Sequence, residues 1–454
     1  MRPPLVIWAV KFDVMPDTRT SLIALFSSFL LLFSCSPSRQ IQREIKKSPV
    51  FNRAFTGFTL LDPETGHILA DVNGDHYFTP ASTTKILTLY SCLKVLGDSV
   101  PGLEIQHREA KYEHGPVTLV RSTGDPTFLH PLFQIWQAPF QFLANQTDSI
   151  FLDFETAIER FGPGWAWDDY LYSFQPERSS FPIYGNVIKL LKTKDSIEIN
   201  PPFFRNNFLK SEWYDSLWYR PLVPLERLEF KNQWSLDGKN LKEEQWLPFT
   251  EPDMAALLTD TLKKKVTQAE PFEFMHYREP WQTLYSTPLD TVMRRMMHQS
   301  DNLIAEQMLL QCARKKFGVF EQDTLIKWML DSVLTDLPQR PKWIDGSGLS
   351  RYNLMTPQSI ATVLLHLWRE QPHDTLLSLF PAGGVDGTLS DWYGGKDGKP
   401  YVFAKTGSMS SVTCLSGYVR TRRGKTLIFS FMHNHFVGSS REWKAEMQRI
   451  LERI

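Results

Sequence analysis

One short stretch limits the fold more than any other. From Ile86 to Leu96 the chain is apolar on nearly every side of a helix, through Ile86, Leu87, Leu89, Tyr90, Leu93, Val95 and Leu96. Such a helix must be enclosed by other layers of structure rather than laid on a surface. Gly97 is a natural stop for it, and Pro80, which cannot continue a helix backwards, suits the approach to its first turn. Ser82 and Lys85 stand three residues apart at this start and so share one face. A hydroxyl beside an amine is the smallest unit of an activated nucleophile, provided the amine is kept neutral enough to take the proton. Two polar residues on a first turn need no function, and Ser-x-x-Lys recurs by chance in long chains. The case therefore turns on what lies downstream.

The chain has 454 residues, enough for two or three domains and a large core. Lys plus Arg and Asp plus Glu both number 50, so the net charge is zero, which argues against a nucleic-acid partner held by charge. The N-terminus reads as an address. Residues 21–34 are an apolar run too short for a comfortable membrane span, preceded by Arg19 and closed by Cys35. Leu32-Phe-Ser-Cys35 resembles a bacterial lipobox, so residues 1–35 are expected to be a lipoprotein-type export signal with Cys35 as the lipidated residue. Either Met1 or Met15 could be the start, and an uncleaved anchor helix is the other reading of the apolar run. Residues 36–50 are polar and basic and are expected to be a tether. The remaining cysteines, Cys92, Cys312 and Cys414, fall inside apolar patterns and read as core thiols rather than a disulfide framework or a metal site.

Phe55–Leu61 and 67–72 read as strands of a hairpin around the Pro63/Gly66 turn. Residues 98–285 are rich in proline and aromatics, with strand-like pieces at 117–121 and 187–191 and a helix from Asp253 to Lys264. We divide the chain into a first part of a main domain at 51–100, a mostly-β insertion at 101–285, and a second part at 286–454. Residues 288–316 give two helices broken by Ser300-Asp-Asn302. The loop Asp345-Gly-Ser-Gly-Leu-Ser-Arg351 and the loop 383–389 read as tight turns over a core, since neither fits a nucleotide fingerprint. Residues 401–408 read as a strand carrying Lys405, Thr406, Gly407 and Ser408, followed by strands at 412–420 and 427–433. Ser439 and Glu442 have the spacing of a capping box for a last amphipathic helix. His433 and His435, with no acidic partner pattern, read as structural.

Three signatures thus occur in order: Ser82-x-x-Lys85, Ser300-x-Asn302 and Lys405-Thr-Gly407, on a helix start, an inter-helix loop and a strand. This set is shared by penicillin-binding proteins and class A β-lactamases. With Gly124-Asp-Pro-Thr127, Trp165-Ala-Trp-Asp-Asp169, Ser300-Asp-Asn-Leu-Ile-Ala-Glu306 and the 345–351 loop, the chain resembles the low-molecular-mass class C penicillin-binding proteins, serine D-alanyl-D-alanine carboxypeptidases and endopeptidases. The likeness covers most of residues 50–454, and the long gap between Ser82 and Ser300 is its most specific mark. It implies an α/β (α+β) transpeptidase-like domain, with an antiparallel sheet between helices and an inserted mostly-β region. It implies no cofactor or metal, peptidoglycan peptides as substrate, β-lactams as covalent inhibitors, and a periplasmic location with membrane contact only through the N-terminus. It further implies that Ser82 attacks the D-Ala-D-Ala carbonyl and that Lys85, kept neutral by burial and by the nearby Lys405, takes the proton. Ser300 would relay a proton to the leaving amine and Asn302 would hold the substrate amide. Lys405, Thr406 and Ser408 would meet the terminal carboxylate, and the Ser82 and Ser408 N–H groups would form the oxyanion hole. Asp169, rather than Asp168, is the aspartate expected to approach the cleft. A β-lactamase or esterase on the same motifs, and an inactive penicillin-binding receptor, are the alternatives; the long insertion and the intact polar set argue against them.

Overall fold

The structure is a computed structural model that describes residues 37–108, 116–153, 158–194, 196–210, 225–227, 231–236, 241–269, 280–395 and 398–454. The expected export signal and Cys35 lie outside the described residues.

The main sheet is antiparallel throughout. Its order is Val402–Met409, Val412–Arg420, Thr426–Asn434, Phe55–Leu61 and Ile68–Val72, so the Lys405 strand is an edge. Both faces are covered, which explains why the central strands read as near-continuous apolar runs. Along Thr426–Asn434, Ile428 and Met432 enter one core while Leu427, Phe429 and Phe431 enter the other, the alternation a pleated strand imposes. Where both faces are apolar, the buried Ser416 and Ser430 satisfy each other across the strands, Oγ to Oγ at 2.9 Å.

On the first face lies the helix expected from the apolar run, Lys85–Val95, buried from Lys85 to Cys92. It packs between the helices Asn302–Phe317 and Pro357–Glu370. Thr356 caps the latter by accepting from the Ser359 N–H, and Pro357 takes the first helical position. Cys92 and Cys312 meet between the first two helices, sulfur to sulfur at 3.8 Å, as buried free thiols.

The second face is covered by the C-terminal helix Arg441–Leu451 and by a helix that the sequence reading did not foresee. Within the expected 36–50 tether, Pro37–Lys47 is helical, with Ile41 and Ile45 buried in the core beneath the C-terminal helix. Two isoleucines four apart form the entire apolar stripe, and the surrounding charges hid it. Glu44 ties this helix to Arg449 and Arg453. The capping box at 439–442 does not form either. Ser440, without a side-chain cap, is the N-cap, and the Glu442 carboxylate is taken by Arg53. His433 is structural: its ring stacks on Phe51 and its Nδ1 lies 2.9 Å from the Thr56 hydroxyl.

The segment between the two halves carries a separate hydrophobic core, from Leu103 to Val266. Its largest sheet has the order Val266–Gln268, Ser149–Asp153, Val117–Ser122, Ser99–Arg108 and Gln282–Pro288. The entering strand Ser99–Arg108 and the returning strand Gln282–Pro288 pair antiparallel, so the chain leaves and re-enters the main body side by side. The Asn302–Phe317 helix bolts this segment down. Gln307 exchanges hydrogen bonds with the Ser179 backbone, and Gln311 donates to the Pro101 carbonyl at 2.7 Å.

Candidate active site

The three signatures meet at the start of the central helix. Pro80 leads into a 3-10 turn, Ala81–Thr84, which passes directly into the α-helix at Lys85. Ala81 sits at φ 47° and Ser300 at φ 58°, two left-handed non-glycine residues beside the same cleft. Backbone strain of this kind persists only where the surroundings impose it, and it clusters at functional sites.

Lys85 is fully buried, and its Nζ touches three oxygens: Ser82 Oγ at 3.1 Å, Asn302 Oδ1 at 2.6 Å and the Ser347 carbonyl at 2.6 Å. Asn302 begins its helix behind the Asp301 cap, which accepts from the Ile304 N–H. Its Nδ2 donates to the Phe174 carbonyl at 2.7 Å, which fixes Oδ1 toward the lysine. Three acceptors around an amine satisfy the three hydrogens of an ammonium. When the amine loses a proton, one partner must become a donor. The Ser347 carbonyl and Asn302 Oδ1 can only accept, so only the Ser82 hydroxyl can turn its hydrogen toward the new lone pair. The arrangement thus directs the free base at Ser82. Burial lowers the Lys85 pKa to about 8, against the opposing pull of Asp345, Glu306 and Asp301.

Lys405, also fully buried, donates to Ser300 Oγ at 2.9 Å and to the Thr406 carbonyl at 2.8 Å. Burial and then the Lys85 charge hold the Lys405 amine well below the usual lysine range, a repulsion that the two buried lysines share. The strand is pressed against the serine turn at Gly407. A Cβ there would lie 2.5 Å from the Pro80 carbonyl oxygen and 3.2 Å from the Ser82 nitrogen. Strand alternation turns Thr406 and Ser408 to the opposite face from Lys405. Thr406 Oγ1 donates to Thr388 Oγ1 at 2.8 Å, and Ser408 is exposed.

Asp169 lies on the 3-10 turn Trp167–Leu171, partly exposed. The charges acting on it are Asp168 and Arg351 rather than either lysine, and burial is the main cause of its raised pKa. Its segment is held to the cleft on both flanks, by Trp165 Nε1 donating to Asp345 Oδ2 at 2.9 Å and by the Phe174 carbonyl on Asn302.

The sequence reading counts the 345–351 loop toward the family likeness but gives it no role at the site. It is a tight turn, but one that presses on the site. Asp345 accepts from the Gly348 and Ser350 N–H groups and from Asn353 Nδ2, and this folds the loop so that the Ser347 carbonyl meets Lys85. Gly348, at φ 83°, lies so close to the Ala81 carbonyl that no side chain fits. Thr88 holds the loop from the next helical turn, donating to the Gly346 carbonyl at 2.7 Å. The signal available was the pair of glycines flanking Ser347, which marked a close backbone approach without saying to what.

A profile of the D-Ala-D-Ala carboxypeptidase 3 (S13) family matches residues 38–454. The chain belongs to this family. It is 26% identical over 424 residues to the D-alanyl-D-alanine carboxypeptidase DacB of Haemophilus influenzae, covering 84% of this chain and 86% of that one. It is 24% identical over 446 residues to a D-alanyl-D-alanine carboxypeptidase of an Actinomadura species, covering 87% and 80%. The crystal structure of penicillin binding protein 4 (dacB) from Haemophilus influenzae superposes on 91% of this S13 chain and 97% of its own, with a TM-score of 0.66 at 22% identity.

Proposed function

We infer that the protein is a serine D-Ala-D-Ala carboxypeptidase that acts on peptidoglycan stem peptides through an acyl-enzyme on Ser82. The observation that carries this reading is the Lys85 amine, 3.1 Å from the Ser82 oxygen and bonded elsewhere, among the described residues, only to groups unable to return a proton. Membership of the S13 family supports the same reading.

In the forward step the Ser82 hydroxyl gives its proton to neutral Lys85 as its oxygen attacks the carbonyl of the terminal peptide bond. The Ser82 and Ser408 N–H groups receive the oxyanion, a role supported by the closeness of strand and turn at Gly407. Ser300 relays to the departing amine the proton that Lys85 has taken, giving its own hydrogen and receiving the lysine's, and Lys405 Nζ, 2.9 Å from its oxygen, orients that hydroxyl and offers charge to the terminal carboxylate. The side chains of Thr406 and Ser408 lie on the far face from Lys405, so these two residues border the carboxylate site through the backbone of the strand edge. Asn302 positions both Lys85 and the substrate amide. Asp169 contacts the substrate from the rim of the cleft. Water then releases the acyl group. The same steps cut a cross-link when the leaving amine belongs to a second stem peptide, so endopeptidase activity needs no further group. In this reading β-lactams acylate Ser82; that a β-lactam binds the Haemophilus influenzae relative, whose complex with one has been solved, supports it.

The reading extends to export and lipidation at Cys35, supported by the apolar run at 21–34. Labelling with a radioactive fatty acid, lost in Cys35→Ser, checks this part. The activity itself is checked by D-alanine release from a pentapeptide ending in D-Ala-D-Ala. Release that stops in Ser82→Ala is expected; β-lactam binding without any release would favour a receptor.

A further inference from the structure

Behind the lysine lies a second layer of buried charge that the reaction above does not use. Glu306 is one helical turn after Asn302 and is 1% exposed. Its Oε1 accepts from the Ser347 N–H at 2.7 Å, and Ser347 in turn offers its carbonyl to Lys85 Nζ at 2.6 Å. A single loop residue therefore joins a buried carboxylate to the amine. Glu306 Oε2 faces Arg178, from the inserted segment, at 3.6 Å with both side chains buried, and it has no hydrogen-bond partner among the described residues. The charges around the pair are Asp345, which opposes Glu306 and attracts Lys85; Arg178, which favours ionised Glu306; Asp301, which attracts Lys85; and Lys405 on the far side.

We propose that Glu306 is a positioning residue for the base: through Ser347 it holds the carbonyl against Lys85, and its charge sets how tightly that amine keeps its proton. This rests on Lys85 being the base. Burial and the Asp345 charge raise the Glu306 pKa to about 7, so carboxylate and amine titrate in neighbouring ranges. The pair can carry its proton on Lys85, as an ion pair, or on Glu306, as two neutral groups. The second form presents a neutral amine to Ser82 with no change in the net charge of the buried site. An ionised Glu306 retains the proton on Lys85 and so restrains the base.

The experiment is the pH profile of acylation by a fluorescent penicillin in wild type, Glu306→Gln and Glu306→Asp. Glutamine can still accept from the Ser347 N–H but carries no charge. The acidic limb is expected to move down by about one pH unit in Glu306→Gln, since removing a nearby anion weakens the hold of Lys85 on its proton. Glu306→Asp, which keeps the charge, is expected to retain the wild-type limb with a lower plateau. Superimposable limbs in wild type and Glu306→Gln would overturn the proposal while leaving Ser82 acylation intact. Labelling of wild type that survives in Ser82→Ala would instead reject the underlying assignment. If the glutamine variant fails to fold, infrared difference spectra of wild-type acylation between about pH 6 and 9 decide the point. A buried carboxyl band that titrates with the limb supports the proposal, and the lack of one overturns it.

Discussion

Gly407→Ala adds a single methyl group where the Lys405 strand meets the serine turn. The glycine does not have a positive φ, so the effect is purely one of space. The new Cβ would stand 2.5 Å from the Pro80 carbonyl oxygen, 3.1 Å from the Thr83 nitrogen and 3.2 Å from the Ser82 nitrogen, whereas ordinary contact begins at 3.4 Å. All three neighbours are backbone, so no side chain can swing aside. Relieving the closest contact requires strand and turn to part by roughly 0.9 Å, the difference between 3.4 and 2.5 Å. Misplacing reacting groups by about 1 Å costs on the order of 10²-fold in rate, while overpacking of this kind costs about 1–3 kcal/mol of stability. Stopped-flow acylation by a fluorescent penicillin, with a thermal melt of the same sample, measures both. A folded Gly407→Ala protein that acylates at the wild-type rate would refute the claim that strand and turn must touch to build the site.

Other outcomes follow from the same geometry. Because burial puts the Lys85 pKa at about 8, wild-type acylation is expected to rise about tenfold per pH unit below that value and to level off above it, as the ammonium form is titrated away; a rate that falls as pH rises from 6 to 8 would contradict the base assignment. Asn302→Ala removes one acceptor of Lys85 and the tie to the Phe174 carbonyl, and is expected to slow acylation by about 10²-fold with little loss of folding. Ile45→Ala opens a cavity beneath the N-terminal helix and is expected to cost about 2–5 kcal/mol in chemical denaturation while acylation of the folded protein is unchanged.

The site was legible where its chemistry resides in side chains at fixed offsets. Ser82 and Lys85 share a helix face, Ser300 and Asn302 flank a helix cap, and Lys405 lies on a strand, so each left a short polar mark. The Ser347 carbonyl left none, because every residue has a carbonyl and only the fold aims this one at Lys85. Glu306 closes the Ser300–Glu306 stretch that marks the family, but nothing in its local pattern says that the inserted segment brings Arg178 onto it. The Pro37–Lys47 helix was hidden for a different reason. Its stability comes from burying Ile41 and Ile45 beneath a helix some four hundred residues away, a partner that local periodicity cannot reveal. Glu442 misled for a similar reason, since Arg53 competes for the carboxylate that a capping box would need.

The central claim is that one oxygen, Ser82 Oγ, attacks with Lys85 as its base. Mass analysis of the intact protein after brief exposure to penicillin, followed by peptide mapping, tests this most directly. The account expects one adduct, on Ser82, absent in Ser82→Ala and formed far more slowly in Lys85→Ala. An adduct on any other residue, or equal labelling of wild type and Ser82→Ala, would contradict it.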